Sequence, residues 1–369
     1  MSSAFAHLDV DALVEVTQEI GAQGIDLCVF RRDGTRTDHT ATHLDYDQFS
    51  TSDAERLRDQ FQSVGLGLSL GAFENMIGGD PGHRVNNQNH LLKLIRIAYL
   101  LGGDANDVKV GTFVGYNHDL GNQENGFEKN LDEYLRIFAP IINYAEDLGV
   151  TVLYENCPME GWRSSGYSQT FNNLSGVLAA RKLMYALIPS KAHGEIYDPS
   201  HDIWQQTNPV EVIKLSDLDR IQRVHVKATR NLDTRARIEW GGMYPMQYVN
   251  PKLAKQADVS VPANEWDRHH YEPMLPGFGG SDSMDWREFV NTLLERGYEG
   301  PFEIENEALN SKNTGNHQAI VQGFQAATNF LAPMVWELDA VKGYNYKEQN
   351  KWTVDTQVAD IPIRSVDQL

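Results

Sequence analysis

The sequence has little cysteine and no long hydrophobic run, and each absence excludes a class of protein. Only two cysteines occur in 369 residues, Cys28 and Cys157, and both lie inside apolar runs. A disulfide framework is therefore excluded, and a reducing compartment, the cytoplasm, is expected. No stretch approaches the roughly 18 uninterrupted apolar residues that a membrane-spanning helix needs, and the opening MSSAFAHLDVD shows neither a basic nor an apolar signal region. No association with a membrane is predicted.

Basic residues are scarce relative to acidic ones. The chain carries 32 Lys and Arg against 51 Asp and Glu, a formal net charge of −19. A field of that sign repels phosphate backbones, so nucleic acid is not expected as a partner. The hydrophobic fraction of 41% and the charged fraction of 22% are those of an ordinary globular chain, which excludes an intrinsically disordered one.

The chain also lacks a low-complexity linker and a glycine-rich phosphate-binding motif; what it has is an alternation of strand-like and helix-like segments. Seven segments are apolar on nearly every residue, as strands buried on both faces of a parallel sheet are: 24–30, 65–73, 108–115, 150–157, 195–201, 220–229 and 301–307. An eighth strand has to precede the first helix, and the weakly β-like segment 2–7 is the candidate. We therefore predict a (β/α)8 TIM barrel rather than an open doubly wound α/β sheet, which a glycine-rich motif after an early strand would have supported.

Two segments exceed what such a barrel requires. The long loop 229–280 follows strand 7 of the predicted barrel and contains many aromatic residues, so we expect a lid or an interface element. Residues 332–369 form a C-terminal extension beyond a barrel domain of residues 1–331, and we expect it to pack on the barrel or on a neighbouring subunit. A homo-oligomer is predicted, with a small second subunit as a further alternative.

Charged residues mark the ends of the last four predicted strands. The carboxyl ends of parallel strands meet at one face of a barrel, which is where function gathers in this architecture. The strand-end residues are Glu155, Asp198, His225 and a glutamate from the period-two run Glu303, Glu305 and Glu307. Three carboxylates and one imidazole form an oxygen-rich donor set, which suits Mn²⁺ best and also admits Mg²⁺, Co²⁺ or Zn²⁺. One divalent metal ion is therefore predicted at this face.

Four motifs in a fixed order make a family resemblance specific: ENCPM (155–159), DPSH (198–201), H-x-K (225–227) and IENE (304–307). With them, residues 60–331 resemble the xylose isomerase-like TIM barrel family, the superfamily of sugar phosphate isomerases/epimerases and of AP endonuclease family 2. Sugar isomerases, inosose dehydratases and endonuclease IV belong to it. The resemblance implies metal ligands at four positions, Glu155, Asp198, His225 and Glu305. It also implies substrate contacts from His201 and Lys227.

Three further residues are candidates, each with an ordinary structural alternative. His118, in the loop after 108–115, is interpreted as an acid or base, or else as an exposed loop histidine. Trp204 is interpreted as an aromatic wall for a sugar, with ordinary packing as the alternative. Arg268, in the long loop, resembles a substrate-contacting arginine of the family.

The predicted function depends on the metal ion and two glutamates. A divalent ion polarises a carbonyl and acidifies the neighbouring C–H bond. Glu155 and Glu305 are then candidates to move that proton on and off carbon as well as to bind the ion. Isomerisation, epimerisation and β-elimination all branch from the resulting enediolate. We predict a metal-dependent isomerase or epimerase acting on a sugar or an oxidised sugar.

Other functions are weighed against this one. Gly161 stands where ketose epimerases of the family carry a second glutamate, so the metal-binding catalytic subunit of a C-glycoside deglycosidase, a lyase acting on a 3-oxo-glycoside, is the alternative. A non-catalytic sugar-binding barrel would have little reason to keep four ligands. An endonuclease IV-like DNA repair enzyme would need additional His and Glu ligands and a basic face, and this sequence has neither.

Overall fold

The computed structural model describes residues 1–34, 40–159, 172–232, 235–240, 251–259, 271–277, 283–308, 316–342, 352 and 358–369. Its strands are Gly24–Cys28 (β1), Gly67–Gly71 (β2), Val110–Thr112 (β3), Val152–Glu155 (β4), His193–Tyr197 (β5), Ile221–Val226 (β6), Ala228–Asn231 (β7), Tyr271–Met274 (β8) and Phe302–Ile304 (β9). Seven of them form one parallel sheet in the order β1-β2-β3-β4-β5-β6-β9. Helices between the strands let this sheet curl into a nearly closed barrel, so the predicted TIM-type α/β fold is confirmed.

Helices follow most of the barrel strands. They are Val10–Ile20 (α1), Thr51–Val64 (α2), Pro81–Leu100 (α3), His118–Gly121 (α4), Gly126–Asp147 (α5), Leu178–Leu187 (α6), Pro199–Trp204 (α7), Pro209–Leu215 (α8), Arg235–Trp240 (α9), Pro251–Ala257 (α10), Trp286–Glu295 (α11) and His317–Lys342 (α12). Side-chain caps fix where several begin, because the first backbone N–H groups of a helix need an acceptor. Asp80 caps α3, and Asp198, a predicted metal ligand, caps α7 through Ser200 N.

The predicted first strand at 2–7 is wrong. Ser2–Phe5 is a short 3-10 helix between the two edge strands of the sheet, β1 and β9. Its neighbour Met1 donates its backbone nitrogen to Ile304 O at 2.9 Å, and the Ser2 hydroxyl accepts from Cys28 N at 2.8 Å. The segment thus closes the barrel with one backbone bond and one side-chain bond instead of a ladder. The Ser2 hydroxyl thus takes the place of a backbone acceptor that a neighbouring strand would have offered to Cys28 N.

The interior of the barrel divides into an aromatic half and a charged half. Phe30, Phe73 and Phe113 follow β1, β2 and β3 and pack together, with the Phe73 and Phe113 ring centroids 5.1 Å apart. Glycines make room for the middle ring. A Cβ atom at Gly71 would lie 2.8 Å from Phe73 Cε2, and one at Gly111 would lie 3.0 Å from Phe73 Cζ. The charged half is formed by β4, β5, β6 and β9.

The long loop 229–280 contains a two-stranded antiparallel ribbon, formed by β7 and β8. The predicted strand 220–229 is two strands, because β6 ends at Val226 and β7 pairs antiparallel with β8. Tyr271 of β8 stacks on Trp204 with ring centroids 3.8 Å apart, which ties the end of the connection to α7. Residues 241–250 and 260–270 lie outside the described part of the chain, so a lid over the site stays a prediction.

Residues 358–369 lie against the barrel helices. Val366 N donates to Asn89 of α3 at 2.8 Å, and Trp352 Nε1 donates to Leu66 O at 3.0 Å. Helix α12 continues across residue 332, so the division at 331/332 coincides with no break in secondary structure and stays a prediction. Within the described ranges, no helix has both the length and the apolar character needed to cross a bilayer.

Arg96 of α3 connects the C-terminal segment to the barrel. Its guanidinium donates to Ile361 O, to Phe49 O and to the Asp360 carboxylate. We expect Arg96→Met to lower the free energy of unfolding by about 2 kcal/mol, because buried carbonyls lose a charged donor. Denaturant unfolding measures this change. Arg136→Met is the control: its ion pair with Glu133 is exposed on the arginine side, and we expect a change below about 0.5 kcal/mol. Equal effects of the two variants would contradict the anchoring role.

Candidate metal centre

The four predicted metal ligands lie at the carboxyl end of the barrel on four adjacent strands. Glu155 is the last residue of β4, Asp198 follows β5, His225 lies in β6 and Glu305 follows β9. Alternation along a strand turns each of these side chains toward the interior. All four residues are buried, none more than 4% exposed. The barrel therefore converges three carboxylates and an imidazole in a site shielded from water.

The His225 ring lies beside two of these carboxylates. Its Nδ1 atom is 3.1 Å from Glu155 Oε1 and 3.9 Å from Glu305 Oε2. These three side chains offer ligand atoms that all lie within 4.8 Å of one another. A second such group is formed by Glu155, Asp198 and His201, so Glu155 belongs to both.

His201 and Lys227 also face the ligands. His201 Nε2 lies 3.2 Å from Asp198 Oδ2 and 3.4 Å from Glu155 Oε1. Lys227 Nζ lies 2.7 Å from Glu305 Oε2 and 3.1 Å from Asp198 Oδ2. Both residues were expected to contact substrate; the structure brings them to the ligands themselves. The roles of both toward a substrate stay predictions.

The charges in the site shift the pKa values of its members. Burial alone would lower the pKa of His225, but Glu155, Glu305 and Glu303 raise it to about 10. Burial alone would raise the pKa of Glu155, but His225 and His201 hold it well below its usual range. Glu155 thus retains its charge, and the imidazole of His225 beside it holds its proton more tightly than a free imidazole does. A divalent cation can supply the same compensation.

The donor set fits a divalent metal ion. Asp198 Oδ2 is buried and has no hydrogen-bond partner in the described part of the chain, although two cationic side chains approach it. A buried carboxylate oxygen without a hydrogen bond is costly unless a cation meets it. Lys227 and His201 meet this one at 3.1 and 3.2 Å in the metal-free site, and a divalent ion can take their place. Carboxylate oxygens and one imidazole nitrogen are ligands that Mn²⁺, Mg²⁺, Co²⁺ and Zn²⁺ accept.

The remaining predicted residues lie at different distances from this cluster. His118 begins α4, and its Nε2 atom lies 2.9 Å from Asn172 Oδ1; its ring also lies 5.4 Å from that of Tyr116, centroid to centroid. Trp204 is buried: its Nε1 donates to Thr229, and Lys227 Nζ lies 5.2 Å from its ring. Packing accounts for these Trp204 contacts, and a sugar-facing role stays a prediction. Arg268 lies outside the described residues.

Asn156 ties two of the predicted ligands together, and the sequence alone did not single it out. Its Nδ2 atom donates to Asp198 O at 2.9 Å, and its Oδ1 atom accepts from Asp198 N at 2.7 Å. Ser175 adds a further restraint by donating its hydroxyl to Glu155 O at 2.6 Å. The position of Asn156 directly after Glu155, inside ENCPM, was the available signal.

Comparison with known proteins shows the family and the fold. The family model of the xylose isomerase-like TIM barrel matches residues 14–329, and the chain belongs to that family. A solved structure of an IOLI protein with a bound zinc atom aligns with a TM-score of 0.59 at 14% identity, covering 91% of this chain and 96% of that one. A D-tagatose 3-epimerase-like protein aligns with a TM-score of 0.56 at 18% identity, covering 90% and 96%.

A third solved structure extends the range of relatives. It is the 3-keto-D-glucoside 4-epimerase YcjR from E. coli, with a TM-score of 0.52 at 12% identity, covering 86% of this chain and 92% of that one. At these identities the structural likeness shows the shared fold. Comparison with curated protein sequences gives no match.

Proposed function

We propose that the chain is a divalent-metal-dependent enzyme of the sugar isomerase and epimerase kind, which moves a proton at the carbon next to a carbonyl of a sugar or oxidised sugar. The observation that carries the proposal is the placement of two buried glutamates, Glu155 and Glu305, beside the same nitrogen of His225. A structural ion pair needs one carboxylate at that nitrogen. Two carboxylates there form a cation site with two proton acceptors.

The ion would be held by Glu155, Asp198, His225 and Glu305. When bound, it supplies Lewis-acid polarisation of a substrate carbonyl. The bound zinc in the related IOLI structure supports a divalent ion for this family. For this chain Mn²⁺ is our first choice, because the donors are mostly carboxylate oxygens, with Mg²⁺, Co²⁺ and Zn²⁺ as alternatives.

The two glutamates would carry the proton at carbon. They come from β4 and from the end of β9, on either side of β6, so a substrate at the barrel mouth would have one carboxylate on each side. One glutamate removes the proton and forms an enediolate, and either glutamate can return it. Return to the same carbon on the other face gives an epimer. Return to the neighbouring carbon, together with transfer of the hydroxyl proton to the other oxygen, gives an isomer. The names of the epimerases among the related structures support this reaction class.

The deciding experiment is hydrogen exchange in D₂O. The Mn²⁺-loaded protein is incubated with panels of ketoses, inososes and 3-oxo-glycosides, and NMR after removal of the ion locates any carbon-bound deuterium. We expect deuterium at the carbon next to the carbonyl of one substrate class. Tight sugar binding with no exchange in any panel would instead indicate a sugar-binding barrel.

β-Elimination from a 3-oxo-glycoside is the second candidate, and the aromatic half of the barrel favours it. Phe73 lies 5.9 Å from the His225 ring, centroid to centroid, so apolar surface adjoins the predicted ligands. A free sugar carries hydroxyls on most carbons, whereas a glycoside brings an aglycone that apolar side chains can contact. Release of an aglycone in the same D₂O incubation distinguishes elimination from isomerisation. A small second subunit and a homo-oligomer stay predictions.

His118 provides a test of the steps that follow proton removal. We expect His118→Ala to leave deuterium exchange at carbon measurable and to slow product formation by about 10²–10⁴, the usual value of a general acid or base. The side chain lies on a helix after β3, which is not one of the four strands that carry the predicted ligands, and its proposed role is to serve an oxygen or a leaving group. Asn172→Ala, which removes the partner of His118, is expected to cause a smaller defect in the same direction. Full turnover by His118→Ala would make His118 a loop residue.

A further inference from the structure

The inner edge of the His225 ring faces a second pair of carboxylates, deeper in the barrel than the predicted ligands. Nε2 of His225 lies 3.6 Å from Glu303 Oε2 and 3.8 Å from Asp26 Oδ2. All three side chains are buried, with exposures of 0%, 9% and 2% in that order. None of the three atoms has a hydrogen-bond partner in the described residues. Three unpaired polar atoms therefore converge on one point beneath the ring.

The other oxygens of these carboxylates are held in place. Glu303 Oε1 accepts from Arg223 Nη1 at 2.7 Å, and the Ser69 hydroxyl lies 3.1 Å from it. The same hydroxyl lies 3.1 Å from Asp26 Oδ1. One oxygen of each carboxylate is thereby fixed, and the second oxygen of each is left directed at Nε2.

We infer that Glu303, assisted by Asp26, is a positioning residue that keeps the proton of His225 on Nε2 and so presents the lone pair of Nδ1 to the metal ion. This inference rests on the proposed metal centre. A histidine that binds a metal through one nitrogen normally donates the N–H of the other to a carboxylate, which fixes the tautomer and the ring orientation. Phe73 restricts the ring from its side, with the two planes at 65°.

A second metal ion between Asp26, Glu303 and Nε2 is the competing explanation, since these atoms also lie within ligand distance of one another. Arg223 argues against it. Its guanidinium pairs with Glu303 at 2.7 Å and is fixed from the other side by Asp107 O at 2.6 Å and Asp107 Oδ2 at 3.1 Å, so a further cation there would face a like charge that is held in place. The carboxylates of Asp26 and Glu303 are therefore better suited to accept the N–H of the His225 ring than to bind a second ion.

The test measures Zn²⁺ affinity and the tautomer of His225 in the full chain. Zn²⁺ is titrated against a competing chelator into metal-free wild type, Glu303→Gln and Asp26→Asn. Glu195→Gln is the matched control: it is a buried glutamate of β5 whose Oε1 pairs with Arg181 of α6 at 3.0 Å. We expect one ion in wild type, an affinity lower by about 10–100-fold in Glu303→Gln, a smaller loss in Asp26→Asn, and no change beyond about twofold in Glu195→Gln.

The tautomer is read from the imidazole ¹⁵N chemical shifts of the Zn²⁺-loaded wild type. This measurement uses no variant, so it holds even if the substitutions prevent folding. We expect a proton on Nε2 and the ion on Nδ1. A proton on Nδ1, or wild-type affinity in both Glu303→Gln and Asp26→Asn, would overturn the positioning role. Two ions in wild type and one in Glu303→Gln would replace it with a second metal site. If wild type bound no Zn²⁺, the metal centre itself would be wrong.

Discussion

Glu155→Gln and Glu305→Gln are each expected to reduce exchange of the substrate's α-hydrogen with solvent by at least about 10²–10⁴, the usual contribution of a positioned acid or base. Each glutamine keeps the size of the side chain and loses the charge that both accepts the proton and binds the ion. Glu155→Gln should cause the larger loss, because Glu155 belongs to two of the candidate ligand groups in the described residues and Glu305 to one. Deuterium incorporation followed by NMR measures the effect at a saturating Mn²⁺ concentration.

Glu307→Gln is the matched control for Glu305. It lies two residues further along the same chain segment, and its side chain is 22% exposed at the rim, 3.0 Å from Lys227 Nζ. We expect less than a tenfold change in exchange. If Glu307→Gln abolished exchange and Glu305→Gln did not, the metal ligand within IENE would be Glu307 and not Glu305. Proton transfer at carbon would then take place nearer the surface.

Metal binding is expected to strengthen steeply with pH. In the metal-free site the pKa of His225 is raised to about 10, so between pH 6 and 8 its imidazole carries the extra proton. An ion that binds Nδ1 has to displace that proton, and low pH therefore opposes binding. The apparent affinity should rise about tenfold per pH unit across this range, with release of one proton per ion. Calorimetric titration at pH 6, 7 and 8, in buffers of different ionisation enthalpy, measures both quantities.

The variant Lys227→Met separates the effect of the Lys227 ammonium on metal binding from that of the His225 proton. The variant removes an ammonium that lies between Asp198 and Glu305, so we expect tighter metal binding with an unchanged pH slope. A slope near zero in wild type would mean that His225 is neutral before the ion arrives. If the dependence of metal affinity on pH disappeared in Lys227→Met, the proton released on metal binding would come from Lys227 and not from His225.

The positions of the predicted ligands in the charged half of the barrel could be inferred from the sequence, because strand periodicity determines which side chains share a face. Side chains two apart on a strand share a face, so His225 and Lys227 on one segment and Glu303, Glu305 and Glu307 on another could be aligned from the sequence. The motif order then selected Glu305 from its run. These inferences needed no knowledge of how the sheet closes.

The inner pair beneath His225 was not predictable in the same way. Asp26 and Glu303 come from the two edge strands, and they meet because the barrel closes across 277 positions of sequence. The position of His201 also depended on the structure. Asp198 caps α7, so a residue three positions on is turned back over the strand end, next to the cap.

Asn156 extends the pairing of β4 with β5 beyond the end of the sheet, at the mouth of the barrel. The last backbone pairing of β4 with β5 joins Glu155 to Ile196, and the two Asn156 bonds to Asp198 continue the pairing by one more step through a side chain. Glu155 and Asp198 are thereby tied to one another beyond the end of the sheet. The spacing of these two predicted ligands is set by the strand pair and by one amide side chain, and not by the segments that follow the strands.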